Sequence, residues 1–133
     1  MSGAGADSHS GSTAFRAIVL EHFKHPKNRG ALANATVSVA GANPLCGDRI
    51  RVELRVDDGV IADARFTADA CAISIATASM LTEGIKGRAL TEVSDFDSAW
   101  VERALEGPPP AARARCVTLV LDTLRRAAEQ ARR

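Results

Sequence analysis

Alternation of apolar and polar residues is clearest at Arg49–Val56, where every second side chain is aliphatic. Arginines and a glutamate fill the positions between them, so the pattern predicts a strand with one buried face and one solvated face. Asp57–Asp58–Gly59 predicts a hairpin turn, and a return strand is expected from Val60 to about Thr67. The residues expected on the buried face of that strand are Val60, Ala62, Ala64 and Phe66. A shorter strand is predicted at Thr36–Ala40.

Four segments with apolar residues at helical spacing predict four helices. The first is expected to begin near Ser12 or Thr13, either of which can cap it, and to stop at His25 because Pro26 follows. Residues 1–12 are small and polar and show no periodicity. They are therefore predicted to form a disordered tail in front of one domain at residues 13–133.

The other three helices are predicted after the strands. One is expected at Cys71–Lys86, ended by Gly87 in a left-handed conformation. The next should start near Ser94, and the last should run from about residue 112 to near residue 132. One helix, three strands and three further helices, in this order, indicate an α+β fold.

The composition is that of an ordinary globular chain, with 46% hydrophobic and 25% charged residues among 133. The formal net charge of +1 gives no reason to expect nucleic acid or an anionic membrane as a partner. Without a transmembrane-length apolar run or the opening of a signal peptide, a cytoplasmic location is expected. Three cysteines are an odd number in such a reducing compartment, so metal binding, reactive chemistry and core packing stay open as explanations.

Two of the cysteines are placed where loops are expected to meet. Cys46 and Asp48 belong to the Asn43–Asp48 segment just before a strand, and Cys71 begins the helix after that strand's hairpin partner. Because both segments then lie at the same end of the sheet, Cys46, Asp48 and Cys71 are expected to be neighbours. The helix dipole at Cys71 also favours a thiolate over a thiol.

The third cysteine, Cys116, lies early in the last predicted helix, which can cross the same end of the sheet. Arg113 and Arg115 are close enough in sequence to lower its pKa, and the proline-rich approach is expected to leave the thiol accessible. Three thiolates and one carboxylate can complete a tetrahedral metal site. Since a carboxylate is a harder and weaker ligand than a thiolate for zinc or an iron–sulfur cluster, one position should exchange easily.

Five motifs occur in order along the chain. They are F-R-A-I-V-L-E-H-F-K-H-P-K-N-R-G at residues 15–30, N-P-L-C-G-D-R-I at 43–50, A-R-F-T-A-D-A-C-A-I-S at 64–74, T-E-G-I-K-G at 82–87 and A-R-C at 114–116. Together they resemble the NifU/IscU/SufU family of iron–sulfur cluster assembly proteins. The resemblance covers nearly everything from residue 15 to about residue 122.

The resemblance implies that Cys46, Asp48, Cys71 and Cys116 are the ligands of zinc or of a nascent [2Fe-2S] cluster. It implies a SufE/NifU-like fold in which helices pack on one face of a small three-stranded antiparallel sheet. It also implies a pyridoxal-phosphate cysteine desulfurase as a partner, which delivers sulfur as a persulfide, and apo iron–sulfur proteins as recipients. Among the thiols, Cys116 is expected to accept the persulfide.

The motifs mix two branches of this family. Arg115 stands before the third cysteine, as a basic residue tends to in the SufU branch, whereas the IscU branch has a histidine there. The step from Cys71 to Cys116 is 45 residues, close to IscU and without the insertion typical of zinc-dependent SufU proteins. Of the L-P-P-V-K chaperone-docking motif of IscU only Pro110 and Arg113 remain, which puts docking of a heat-shock chaperone in doubt.

Three functions are compatible with the sequence. The leading hypothesis is a non-enzymatic scaffold on which a transient [2Fe-2S] cluster forms and is passed to apoproteins. The alternative is a zinc-dependent sulfurtransferase that accepts persulfide without assembling a cluster, and a structural zinc module is the third. The donor set suits iron and zinc alike, so the resident species, the recipients and the oligomeric state are left open.

Overall fold

A three-stranded antiparallel sheet, in the order β1-β2-β3, is the platform of the fold in this computed structural model. The structure describes the backbone of residues 3–133 and the side chains of residues 13–133. The strands are β1 at Val37–Asn43, β2 at Asp48–Asp57 and β3 at Val60–Asp69. The predicted sheet is confirmed, and Arg49–Val56 lies within β2 as expected.

β1 is longer than predicted and runs into the segment that carries the first cysteine. It was expected to end at Ala40, but its pairing with β2 continues until Asn43 lies opposite Asp48. Intrinsic strand preference is weak for the small residues involved, and cross-strand pairing overrides it. Cys46 therefore lies in a short hairpin loop, residues 44–47, between two paired strands.

The buried face of β3 differs from the prediction in its first half. Ile61 is fully buried, whereas Val60 and Ala62, which were expected to be buried, are exposed. The register of pairing with β2 shifts beside Ala62, which is left without a partner across the ladder. This β-bulge moves the alternation by one residue. Beyond it Ala64 and Phe66 are buried as predicted.

The helices cover one face of the sheet, as the family resemblance implied. They are α1 at Gly3–Lys24, α2 at Ala72–Ile85, α3 at Ser98–Leu105 and α4 at Ala114–Arg132, with 3₁₀ helices at Leu90–Asp95 and Ala111–Arg113. α2 and α4 pack on the sheet, and α1 packs on α2. Arg49 and Arg51 on the opposite face of β2 are exposed. Within the described chain, no helix is long and apolar enough to cross a lipid bilayer.

The first helix begins earlier than the sequence predicted. It starts at Gly3 rather than near Ser12 or Thr13, because a residue that can cap a helix can also lie inside one. Met1, Ser2 and the side chains up to Ser12 lie outside the described residues. The predicted disorder of residues 1–12 therefore stays a prediction.

The third helix begins later than predicted. The chain around Ser94 forms the 3₁₀ helix Leu90–Asp95, and α3 starts only at Ser98. Asp97, which was expected inside the helix, is its N-cap, and its carboxylate accepts a hydrogen bond from the Trp100 N–H at 2.9 Å. Both serine and aspartate can cap a helix, so the sequence alone did not decide between them.

Close packing between β1 and α4 depends on Gly41. A Cβ atom there would lie 2.1 Å from Thr123 Oγ1 and 3.0 Å from the Arg126 guanidinium. Since these distances are shorter than packed atoms tolerate, only a residue without a side chain lets α4 lie this close to β1. The approach brings the N-terminal turn of α4 to the end of the sheet that carries the 44–47 loop.

The outer edge of β3 is covered by two turns. The Asn28 carbonyl accepts from the Phe66 N–H at 3.0 Å, and the Gly30 N–H donates to the Phe66 carbonyl at 2.8 Å. Further along, residues 87–88 form two backbone hydrogen bonds with Ile61 in the same way. The K-N-R-G turn of the first motif thus acts as an added backbone segment beside the sheet.

Candidate metal centre

The three cysteines and Asp48 meet at one end of the sheet. Cys46 lies in the 44–47 loop, Cys71 is the N-cap of α2, and Cys116 is in the first turn of α4. The Sγ atoms of Cys71 and Cys116 are 3.3 Å apart. Ligand atoms of Cys46, Asp48 and Cys116 all lie within 4.8 Å of one another. The structure therefore brings together all four residues that the sequence singled out.

The loop that carries Cys46 is held by Asn43. The Asn43 carbonyl accepts from the Gly47 N–H at 2.8 Å, and its side-chain oxygen accepts from the Leu45 N–H at 3.0 Å. Gly47 has a φ of 75°, which favours glycine and lets the chain turn back into β2. Cys46 is half-buried, while Leu45 beside it is 82% exposed. The loop thus presents its thiol to the site and an apolar side chain to solvent.

Asp48 is a buried carboxylate that is held by hydrogen bonds. It is 6% exposed, and its Oδ2 accepts from the Ser74 hydroxyl at 2.8 Å while its Oδ1 accepts from the Cys71 N–H at 3.3 Å. Burial by itself raises the pKa of Asp48, but hydrogen bonds from Ser74, Cys71 and Cys116 outweigh it and hold the pKa below its ordinary value. Asp48 is therefore ionised at neutral pH and able to act as a ligand.

Cys71 caps α2 with its sulfur. Its Sγ accepts a hydrogen bond from the Ser74 N–H at 3.5 Å, which satisfies one of the free donors at the helix N-terminus. The prediction that Cys71 stands at the start of a helix is confirmed. Ser74, which contacts both Cys71 and Asp48, belongs to the third motif, residues 64–74, but was not predicted as a site residue. In the sequence, only its position three residues after Cys71 points to Ser74, because the side chain of a helix N-cap accepts a hydrogen bond from the backbone N–H at that position.

Cys116 does not have the environment that the sequence suggested. Its thiol was expected to be accessible and to have a lowered pKa, but the residue is fully buried. Burial, followed by a hydrogen bond with Cys71, raises the pKa of Cys116 to about 12. Both expectations are wrong, because Cys116 lies on the buried side of α4 and removal from water disfavours its thiolate.

The two arginines near Cys116 lie on different sides of the centre. The charge of Cys71 and a hydrogen bond with Cys116 raise the pKa of Arg113, so its guanidinium stands beside both thiols. Arg115 instead lines a surface hollow with Asn43 and Pro44. Arg113 is thus the arginine placed to stabilise negative charge on the sulfurs. The sequence alone did not distinguish it from Arg115.

This donor set fits a metal ion or a small cluster. Three sulfurs and one carboxylate oxygen are the donor types and the number that a tetrahedral zinc or iron centre requires. The donors come from three elements, namely the β1–β2 loop, the start of α2 and the start of α4. The site is partly covered, since Asp48 and Cys116 are buried while Cys46 and Cys71 remain half-buried.

Comparison with known proteins gives a consistent match. The family model of the NifU-like N-terminal domain matches residues 14–133. The zinc-dependent sulfurtransferase SufU of Bacillus subtilis is 43% identical over 76 residues, which span 57% of this chain and 51% of that relative. The iron–sulfur cluster assembly scaffold protein IscU of Haemophilus influenzae is 34% identical over 119 residues, covering 86% of this chain and 92% of that protein.

Solved structures show the same fold. One described as a SUF-system iron–sulfur cluster assembly scaffold from Fervidobacterium islandicum superposes with a TM-score of 0.72, at 24% identity, over 84% of this chain and 93% of that chain. A NifU-like N-terminal structure from Brucella abortus gives a TM-score of 0.71 at 23% identity, over 86% of this chain and 92% of that chain. At this level of identity the likeness concerns the fold.

Proposed function

Because the chain belongs to the NifU-like N-terminal domain family, we propose that it is a scaffold for iron–sulfur cluster assembly. In this proposal Cys46, Asp48, Cys71 and Cys116 hold a transient [2Fe-2S] cluster that is built on the protein and passed to apoproteins. The observation that carries the proposal is the mixed donor set, three sulfurs and one carboxylate, gathered at the end of the sheet.

Asp48 is the ligand that suits release. A carboxylate is a weaker partner than a thiolate for iron, so the bond to Asp48 is the one that an incoming group displaces most easily. When displaced, its oxygens keep the hydrogen bonds from the Ser74 hydroxyl and the Cys71 N–H that they have here. The buried carboxylate therefore still has hydrogen-bond partners when it is displaced from the cluster.

Sulfur enters the scaffold, in this proposal, from a pyridoxal-phosphate cysteine desulfurase. A thiolate of this chain attacks the outer sulfur of the desulfurase persulfide, a new S–S bond forms, and the desulfurase cysteine leaves as a thiolate. Cys116 is kept as the proposed acceptor, but its burial means that the site must open first. Cys46, half-buried in a loop, is the competing acceptor.

The acceptor is identified with the desulfurase and radiolabelled cysteine under anaerobic conditions. Cys116→Ser is expected to lose label and Cys46→Ser to retain it. If Cys46→Ser loses the label and Cys116→Ser retains it, Cys46 is the acceptor. Each variant is compared at equal metal content, because loss of any ligand also changes occupancy of the site.

The scaffold function is tested by anaerobic reconstitution of the full chain with ferrous iron, cysteine, a desulfurase and a dithiol reductant, which supplies the electrons that convert persulfide sulfur to sulfide. We expect a stoichiometric [2Fe-2S] cluster, seen by absorbance and by iron and sulfide analysis, that transfers to apo-ferredoxin. Asp48→Ala should change the rate at which the cluster is transferred, because the exchangeable ligand is missing, while the protein remains folded by circular dichroism. If Asp48→Ala merely unfolds the protein, a structural zinc module describes the site better.

A second function is supported by the likeness to SufU of Bacillus subtilis, which is 43% identical over 76 residues. That relative, SufU, is a zinc-dependent sulfurtransferase, and this chain shares with the SufU branch a basic residue, Arg115, before the third cysteine. In this case zinc organises the thiols and one cysteine leaves it to take the sulfur. Retained zinc together with strong stimulation of the desulfurase, and no transferable cluster, would select this alternative.

A further inference from the structure

Ser74 is a polar residue in the first turn of α2 that is fully buried. Its hydroxyl donates to Asp48 Oδ2 at 2.8 Å, and its N–H donates to Cys71 Sγ at 3.5 Å. The Ser74 Oγ also lies 3.6 Å from Cys71 Sγ, within reach of the thiol proton. One residue therefore contacts two of the four proposed ligands, through its backbone and through its side chain.

Two other buried hydroxyls in the helices, those of Thr82 and Thr123, donate differently. Thr82 Oγ1 donates to the Ala78 carbonyl at 2.7 Å, and Thr123 Oγ1 donates to the Leu119 carbonyl at 2.8 Å. These are local bonds to the preceding helical turn, which satisfy a hydroxyl at almost any buried helical position. Ser74 instead turns to a side chain on a different element, at the start of β2.

The bond from Ser74 fixes the orientation of Asp48. With Oδ2 held by the Ser74 hydroxyl and Oδ1 by the Cys71 N–H, rotation of the carboxylate group would break one bond or both. Because Asp48 and Ser74 are buried, water does not readily replace a lost bond. A carboxylate held in this way keeps one orientation toward the centre and loses little conformational freedom when a metal binds.

Resting on the function proposed above, we infer that Ser74 is a positioning residue for Asp48. Its hydroxyl aims the carboxylate so that it meets a metal ion together with the three thiolates. Ser74 itself contacts no metal in this account and acts only through Asp48. Ser74 lies outside the proposed ligand set, so its substitution changes the orientation of the Asp48 carboxylate without removing the carboxylate.

The test is metal binding by the purified full chain, with Zn²⁺ in competition with a chromophoric chelator and Co²⁺ as a spectroscopic probe. Ser74→Ala is expected to lower Zn²⁺ affinity about tenfold, the low end of what loss of a ligand's hydrogen-bond partner costs. The Co²⁺ d–d bands should shift in Ser74→Ala, because the oxygen ligand is no longer held in one direction. A role in packing alone would leave those bands in place.

A matched control lies on the same helix. Thr77 is also fully buried, and among the described residues its Oγ1 has no hydrogen-bond partner. Thr77→Val removes a buried hydroxyl without touching Asp48 and should leave Zn²⁺ affinity and the Co²⁺ spectrum unchanged. If Ser74→Ala fails to fold, Ser74→Thr and Ser74→Val make the same comparison, since they differ only in the hydroxyl.

The decisive comparison repeats Ser74→Ala in an Asp48→Ala background. Since Ser74 is inferred to act only through Asp48, the serine substitution should then cause no further loss of affinity. An equal loss in both backgrounds, or no loss in the wild-type chain, would overturn the inference. If Asp48→Ala alone leaves affinity unchanged, the proposed ligand set fails instead, so the two failures are distinguishable.

Discussion

Cys116 is the site residue whose protonation must change most when a metal binds. At neutral pH a buried thiol with a pKa of about 12 carries its proton, yet only the thiolate is a ligand for zinc or iron. As a ligand in the function proposed above, Cys116 would lose this proton on metal binding, and the guanidinium of Arg113 beside it would help to compensate the negative charge of the thiolate. Burial thus keeps the Cys116 thiol protonated in the metal-free protein, and the metal affinity should therefore depend on pH.

The proton released by Cys116 can be measured. Between pH 6 and 8.5 the Zn²⁺ affinity of the wild-type chain should rise with pH, because protons compete with the metal for the thiolates. In Cys116→Ser the slope of log affinity against pH should fall by about one, since one thiol proton is no longer displaced. Calorimetry in buffers of different ionisation enthalpy counts the protons directly. An unchanged slope would mean that Cys116 is not a ligand.

At this scale the sequence predicted which four residues come together at the site, but not their surroundings. The spacing of Cys46, Asp48 and Cys71 around a hairpin was sufficient to place them at one end of the sheet. The state of Cys116 was not predictable, because burial depends on how α4 packs across the sheet. Ser74 was missed for the same reason, since its partner Asp48 is distant in sequence and only the fold joins them.

Among the elements, the contact of α4 with β1 sets where Cys116 lies. Gly41→Ala is expected to destabilise the protein by about 1–3 kcal/mol, the usual cost of forcing extra atoms into a packed contact. The new Cβ would collide with Thr123 Oγ1, so the free energy of unfolding in urea is the quantity to measure. Zn²⁺ affinity should fall as well, because α4 would be pushed away from the other ligands.

A second substitution tests the cause of this effect. Thr123→Ala removes the atom nearest to the new Cβ and should restore part of the stability lost in Gly41→Ala. Thr123→Ala alone loses only a local bond to the Leu119 carbonyl. If the two substitutions are additive, the collision is not the source of the instability.

Element boundaries were predicted well where one signal dominates. Strict alternation placed β2. Gly87 has the predicted left-handed φ, 81°, but α2 ends at Ile85 and its C-cap is Lys86 in an extended conformation, so the glycine lies in the turn beyond the helix. The bulge at Ala62 was not predictable, because Val60, Ile61 and Ala62 are all apolar and either register buries an apolar side chain at the start of the strand. The start of α3 was ambiguous between Ser94 and Asp97, and tertiary packing decided it.

Over the whole molecule, the centre joins elements that are far apart in the chain. A metal that binds the folded protein and not the unfolded one stabilises it by about 2.7 kcal/mol at a free concentration one hundred times its dissociation constant. Zn²⁺ should therefore raise the melting temperature, and a chelator should reverse the rise. Cys46→Ser, which removes a proposed ligand from a partly exposed loop, should melt like the metal-free wild type and gain less from Zn²⁺.

The order of elements, with one helix before the strands and the rest after them, was sufficient to predict an α+β fold at this scale. The sequence did not predict how the turns at residues 28–30 and 87–88 are used, because their backbone bonds join segments that local patterns treat separately. Those bonds are what link the first helix and the end of α2 to the outer strand.

The covered edge of β3 has a consequence for association between copies of the chain. β2 is the central strand, and β3 already makes backbone hydrogen bonds on its outer side. A strand from another molecule would therefore pair with the edge strand β1. Within Val37–Asn43 there is no charged side chain to repel it. Ala40→Glu, opposite Arg51 in β2, should therefore reduce fibrillar aggregation of concentrated protein, measured by light scattering, and leave Zn²⁺ affinity unchanged.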